Sequence, residues 1–204
     1  MLYSCTFICT LIFGVFTTFS NPTDTLSTLG LVIQNKGNSA YCALCKSTVH
    51  IKSKHCVKCN RCVISFDHHC KWINNCIGQK NYRMFISTVF FYLINSLSVF
   101  CFTIVIIVDF SLNESIFDLR IRENFDINNS TQTWIAEISI LILYSTVSSI
   151  LLSSLLLFHL YLKIKNLTTF EYVYRKKTSS KVSNTHETIV KENDASIKPE
   201  EAVN

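Results

Sequence analysis

The stretch FDHHCKWINNC, residues 66–76, places a carboxylate, two imidazoles and a thiol side by side at Asp67, His68, His69 and Cys70. Those residue types admit two kinds of chemistry. Cysteine thiolates and histidine nitrogens are the usual ligands of zinc. Cysteine, histidine and aspartate also make a nucleophile, a base and the acid that orients it. The surroundings bear on the choice, because seven of the chain's ten cysteines fall within residues 41–77: Cys42, Cys45, Cys56, Cys59, Cys62, Cys70 and Cys76.

Cys42-x-x-Cys45 and Cys56-x-x-Cys59-x-x-Cys62 have the spacing that lets two thiolates converge on one ion. With Cys76, His55 and His69 they make six cysteines and two histidines, enough for two closed four-coordinate sites. Cys70, His68 and Asp67 are then left over. A closed site has no open coordination position, so its role is to hold a short loop in one shape. The spacing does not say which histidine of the pair is a ligand, nor that any residue is spare. A disulfide framework is the competing reading, disfavoured by the odd count and by a reducing location.

The elements that must position these groups are read from hydropathy. The chain has 204 residues, 49% hydrophobic and 16% charged, too apolar for an ordinary soluble domain. Three runs, residues 2–19, 84–108 and 134–162, are apolar on every face and predict transmembrane helices, the first only just long enough. A cleaved signal peptide is disfavoured for the first run, which has no basic residue before it and no small-residue cleavage site after it. Residues 20–83 carry Lys and Arg against only Asp24 and Asp67, and the tail from residue 163 is also basic. The loop of residues 109–133 is acidic and holds Asn-x-Ser/Thr acceptor patterns at Asn113, Asn128 and Asn129. Positive residues favour the cytosolic side, which predicts a cytosolic cysteine-rich segment and tail and a lumenal loop.

The chain resembles the DHHC membrane protein S-acyltransferases (palmitoyltransferases). The residues that carry the likeness are Cys42-x-x-Cys45, His55-Cys56-x-x-Cys59-x-x-Cys62, Asp67-His68-His69-Cys70, Cys76, Asn81 and Phe85, with Thr168-Thr169-Phe170-Glu171 as a second signature, TTxE, beyond the last span. The resemblance implies two interleaved structural Zn2+ sites, Cys42, Cys45, His55 and Cys62 in one, Cys56, Cys59, His69 and Cys76 in the other. It implies Cys70 as the acyl-accepting nucleophile, His68 as base, Asp67 as orienting acid, and Thr169 in contact with that aspartate. Trp72 is expected near the start of the acyl chain, and Lys52 and Lys54 at the phosphates of acyl-CoA. The implied reaction takes a long-chain acyl group, palmitoyl above all, from acyl-CoA onto Cys70 and then onto cysteines of membrane-associated proteins. The implied home is an endomembrane, endoplasmic reticulum or Golgi, with the active site facing the cytosol.

The fold class expected is therefore an α-helical integral membrane protein with three spans and a small two-zinc cysteine-rich domain. The segments are a helix at 1–19, the zinc domain at 20–83, a helix at 84–108, the lumenal loop at 109–133, a helix at 134–162, and the tail at 163–204, disordered from about residue 178. The family has four spans, two of them before the zinc domain, so the chain reads as lacking the first. Its Val49-His50-Ile51-Lys52-Ser53-Lys54 replaces the family's Lys-Pro-x-Arg stretch, and Asn21-Pro22-Thr23 its Asp-Pro-Gly. A membrane adaptor that keeps the zinc fold without turnover is the alternative function. Nucleic-acid binding is disfavoured, since the lysines are not interleaved with an aromatic stacking face. Asn95, mid-span, predicts a hydrogen bond to a neighbouring helix. Glu137 and His159 are expected to snorkel to the membrane interface, and His50 to be solvent-exposed.

Overall fold

The computed structural model describes residues 2–28, 37–113, 115–117, 119–120 and 131–196, with side chains throughout these except at residues 2, 131–132 and 183–196. In chain order the named elements are α1 (Leu2–Phe19) and α2 (Thr25–Thr28). Three hairpins follow: β1 (Ser39–Cys42) with β2 (Ser47–His50), β3 (Ser53–Cys56) with β4 (Arg61–Ile64), and β5 (His68–Cys70) with β6 (Asn75–Ile77). Then come α3 (Tyr82–Leu112), α4 (Thr131–Ile164) and α5 (Thr169–Ser196). The acceptor patterns at Asn128 and Asn129 lie outside the described residues.

Among the described residues two helices, α3 and α4, are long and apolar enough to cross a bilayer, and α1 is a shorter apolar helix. Their burial is inverted relative to a soluble bundle. Phe102, Leu143 and Ile150 are more than half exposed, whereas Asn95, Ser96, Thr103 and Ser145 are buried. That is the pattern of helices whose outer faces meet lipid and whose contacts use small and polar side chains. α3 packs against both α1 and α4. On one side the Asn95 amide donates to Thr10 Oγ1 at 2.9 Å and accepts from Thr6 Oγ1 at 2.7 Å. On the other, Ser96 Oγ donates to the Ser145 carbonyl at 3.1 Å and lies 3.0 Å from Ser149 Oγ. The interhelical hydrogen bond expected of Asn95 is present.

Glu137 is exposed, as expected near a span end. His159 departs from expectation. Instead of snorkelling it is 3% exposed, because the half-buried Tyr82 offers its ring nitrogen a hydrogen-bond partner at 3.1 Å.

Each hairpin is a two-stranded antiparallel unit with its own register, and the three do not merge into one sheet. Such units are too small to bury a core of their own, so they depend on side-chain links to their neighbours. Asp24, fully buried, accepts from Leu26 N, His50 N and Ser53 Oγ and so joins α2 to the first two hairpins. The half-buried His50 accepts from Lys52 N through Nδ1. Asn75 joins the third hairpin to α1: its Nδ2 reaches the carbonyls of Thr17, Thr18 and Ser20, orphaned where the helix stops. Its Oδ1 accepts from Cys76 N and Arg61 Nη2. Asn81, also fully buried, accepts from Gly78 N and donates to the Cys76 carbonyl and Ser20 Oγ at the start of α3.

Gly78 is where β6 passes over β4. A Cβ there would stand 2.4 Å from Val63 Cγ1 and 2.9 Å from the Ile64 carbonyl oxygen, so no larger residue fits.

At the far end of α4 the chain reverses within a few residues. Asn166 takes a left-handed φ of 52°; its N–H reaches the Lys163 carbonyl and that of Leu167 the Leu162 carbonyl, the two bonds of a Schellman stop. Thr168 then caps α5 in a reciprocal box: Glu171 N donates to Thr168 Oγ1 at 3.2 Å and Thr168 N to Glu171 Oε2 at 2.9 Å. α5 continues as helix to Ser196, where the polar sequence predicts disorder from about residue 178.

Candidate active site

Cys42, Cys45, His55 and Cys62 bring their four donor atoms within 4.8 Å of one another, and Cys56, Cys59, His69 and Cys76 do the same. A tetrahedron with Zn–S bonds of about 2.3 Å has edges of about 3.8 Å, shorter toward nitrogen. The Cys45 and Cys62 sulfurs are 3.6 Å apart. His55 Nδ1 lies 3.8 Å from Cys42 and 3.3 Å from Cys45. His69 Nδ1 lies 3.9, 3.2 and 3.9 Å from Cys56, Cys59 and Cys76. Each cluster therefore fits one tetrahedral ion. Burial, and then the neighbouring sulfurs, push the Cys62 thiol up and the Cys76 thiol to about 12. A coordinated cation offsets that penalty by stabilising thiolate.

The hairpins are three copies of one unit. Cys42, Cys56 and Cys70 stand 14 residues apart, 42 to 56 and 56 to 70, and pair with Ser47, Arg61 and Asn75 at the same place in each register. Each turn has a left-handed residue at the same point: Lys46, Asn60 and Asn74, with φ of 50°, 46° and 46°. Each metal cluster takes the Cys-x-x-Cys turn of one hairpin and the histidine and strand cysteine of the next. In the third turn Ile73 stands where Cys45 and Cys59 stand in the others, and α3 follows. Cys70 thus has the position of a ligand without belonging to either cluster.

What surrounds Cys70 is different. It is 7% exposed and packs with Ile77, Phe85 and Val89, with Ile73, Tyr82, Ile86, Leu152 and Leu156 around them. The neighbouring carboxylate, Asp67, is 3% exposed. Asp67 Oδ2 lies 2.7 Å from His68 Nδ1 and accepts from Thr169 Oγ1 at 2.7 Å, while Oδ1 accepts from Thr169 N at 3.0 Å. The Thr169 N–H is one of the free donors of the first turn of α5.

Burial alone raises the Asp67 carboxyl; the His68 bond and the two Thr169 bonds outweigh it and hold it below the usual carboxylate value. Burial lowers His68, and the partners Asp67 and Cys70 reverse this to bring it to about 9. Burial raises the Cys70 thiol, and His68 with the Ile73 and Trp72 N–H groups brings it below its ordinary value. All three shifts favour carboxylate, imidazolium and thiolate together, the arrangement that makes a sulfur nucleophilic.

A cavity of about 590 Å³ adjoins this cluster, lined by Tyr82, Arg83, Ile86, Ser87, Leu156, His159, Leu160 and Lys163. Three of these residues, Tyr82, Ile86 and Leu156, also pack around Cys70. A second cleft of about 360 Å³ is lined by Lys54, Phe170, Glu171, Tyr174 and Arg175, and Lys52 shares a smaller one with Lys54 and Phe170. Trp72 is 96% exposed and lines none of these three. Sequence reasoning missed His159, beside His68, and Asn75, whose counterparts in the other two hairpins are Ser47 and Arg61 and gave no signal.

Paired tetrahedral clusters, a cysteine left outside them with a histidine and aspartate, and apolar helices on either side define a class. The chain belongs to the DHHC palmitoyltransferase family, whose family model matches residues 35–176. It is 36% identical over 168 residues to human "Probable palmitoyltransferase ZDHHC11B", covering 74% of this chain and 44% of that protein. It is 36% identical to human "Palmitoyltransferase ZDHHC11", covering 74% and 39%. To mouse "Palmitoyltransferase ZDHHC1" it is 39% identical over 163 residues, covering 72% and 33%. The chain spans less than half the length of these curated relatives.

Proposed function

We propose that this chain is a protein S-acyltransferase that carries a long-chain acyl group, palmitoyl above all, from acyl-CoA through Cys70 to cysteines of membrane-associated proteins. The observation that carries the reading is the Asp67 carboxylate, clamped by Thr169 and bonded to His68 beside the one cysteine of the three hairpins that neither metal cluster uses. In the first step the Cys70 thiolate attacks the thioester carbonyl. The carbon–sulfur bond to Cys70 forms, that to CoA breaks, and His68 gives its proton to the departing CoA thiolate. In the second, a substrate thiol passes its proton to His68 and attacks the Cys70 thioester, and Cys70 leaves as thiolate. Asp67 remains a carboxylate throughout, fixing the His68 tautomer and stabilising the imidazolium.

The two clusters hold structural Zn2+, which keeps the hairpins in register without entering either step. The acyl tail lies in the cavity edged by Ile86, Leu156 and Leu160, and Lys52, Lys54 and Arg175 meet the CoA phosphates as charges. Trp72, beside the nucleophile in sequence and exposed, fits an aromatic anchor at the bilayer interface near the start of that tail. Counting α1 as a span gives three, with the hairpins and α5 in the cytosol and the acidic loop in the lumen of an endomembrane. Housing the tail between helices avoids stripping it from the bilayer, at about 0.8 kcal/mol per methylene.

Incubation of the full chain in membranes with alkyne-tagged palmitoyl-CoA tests this. A hydroxylamine-labile label that Cys70→Ala abolishes is expected. Equal labelling of both forms overturns the nucleophile, and an unlabelled native chain with intact metal favours an adaptor.

A further inference from the structure

The Asp67 bond fixes His68 at one atom only. The 2.7 Å bond at Nδ1 by itself lets an imidazole swing about it, and the other nitrogen is the one that must serve Cys70. The structure closes off this freedom with rings from α3 and α4. Phe85 meets His68 edge-on at 5.3 Å, His159 lies tilted against it at 6.1 Å, and Phe85 and His159 meet each other edge-on at 5.3 Å. His159 is in turn fixed by the Tyr82 hydroxyl, 3.1 Å from its Nδ1, and by the edge of Phe158 at 5.7 Å. Packing alone would be served as well by an apolar ring, since burying an imidazole at 3% exposure costs free energy unless its hydrogen bond is made.

We infer that His159 and Tyr82 are a positioning pair: their hydrogen bond locks the ring wall that aims His68 at Cys70. The inference rests on the transferase reading for its rate consequences. It places both supports of the catalytic histidine at one end of α4, because the same helix carries His159 and turns into Thr169.

The test uses the full chain in lipid nanodiscs with palmitoyl-CoA, together with the rate at which iodoacetamide alkylates Cys70, read by mass spectrometry. The second readout works without acyl transfer, so an inactive parent overturns the transferase reading and leaves this inference decidable. His159→Ala is expected to slow Cys70 acylation and alkylation at least about tenfold, since small misplacements of a catalytic group cost up to a hundredfold. Metal content should be unchanged; because His159 and Tyr82 also line the cavity assigned to the acyl tail, the alkylation rate, which needs no acyl-CoA, separates positioning of His68 from binding of the tail. Tyr82→Phe is expected to slow both reactions about threefold. Combined with His159→Phe it should be no slower than His159→Phe alone, the non-additivity of residues acting as one unit. Parental rates in His159→Ala, a loss confined to KM, or multiplicative effects in the pair overturn the inference. Should His159→Ala lose its metal, Tyr82→Phe decides: a parental rate there overturns it equally.

Discussion

Thr169 grips Asp67 with two hydrogen bonds, one from its backbone N–H and one from its hydroxyl, across a sequence separation of 102 residues. Hydrogen bonds to a charged group contribute about 1.5–3 kcal/mol. Thr169→Val keeps the N–H bond and loses the other, and is expected to slow Cys70 acylation roughly tenfold or more. Thr169→Ser, which keeps both, should stay within about threefold. Single-turnover labelling with tagged palmitoyl-CoA checks both.

Glu171 touches neither Asp67 nor Cys70, yet its carboxylate closes the cap that starts α5. Glu171→Ala is expected to weaken that first turn by about 1 kcal/mol. Acylation should slow with it, and Glu171→Gln should recover most of the rate. Faster hydrogen exchange at Thr169 and Phe170 in Glu171→Ala would report the same event directly.

Metal content separates Cys70 from the cysteines of the two clusters. Cys56→Ala is expected to cost the ion of its own cluster and to loosen the second and third hairpins, whereas Cys70→Ala should retain every ion the parent holds. Native mass spectrometry or atomic absorption gives the count. Chelation of the parent should abolish acylation through unfolding of the hairpins.

Removing the Asn75 side chain takes a donor from the carbonyls of Thr17, Thr18 and Ser20 and the nearer acceptor from Arg61, which keeps Asn21 Oδ1 at 3.4 Å. Asn75→Ala is expected to destabilise the chain by about 1–3 kcal/mol, measured as a lower melting temperature in detergent.

Asn95→Leu breaks two interhelical bonds, yet should cost only about 0.6–1.7 kcal/mol per bond, because polar groups within membranes find other partners. A drop in activity beyond that of a mild thermal shift would contradict a purely structural role for this amide.

The helices were legible because hydropathy is local: runs apolar on every face became α1, α3 and α4 within a few residues of the expected ends. The ligand count was legible as well, since Cys-x-x-Cys spacing belongs to a single turn. Spacing left open which histidine of the pair binds metal; in the structure His69 joins a cluster and His68 faces Asp67. The 14-residue spacing of Cys42, Cys56 and Cys70 is present in the sequence, but a count of donor atoms does not reveal that the three occupy one position of a repeated turn. Of the contacts between distant residues, the family resemblance supplied that of Thr169 with Asp67 and the mid-span amide pointed to a neighbouring helix, but most of the rest were not legible. Nothing local to His159 reveals that Tyr82, 77 residues earlier, fills the place of solvent, so a buried imidazole looked like an interfacial one.

The three-fold hairpin series gives reactivity a simple origin. Each of the first two units gives its first sulfur to a cluster completed by its successor, and the final unit has no successor among the described residues. Its cysteine is therefore a terminus effect, a donor left at the end of a row where the next neighbour is a lipid-facing helix. Lengthening the row by one more repeat, with cysteine in place of Ile73, would silence the sulfur by giving it a metal to hold.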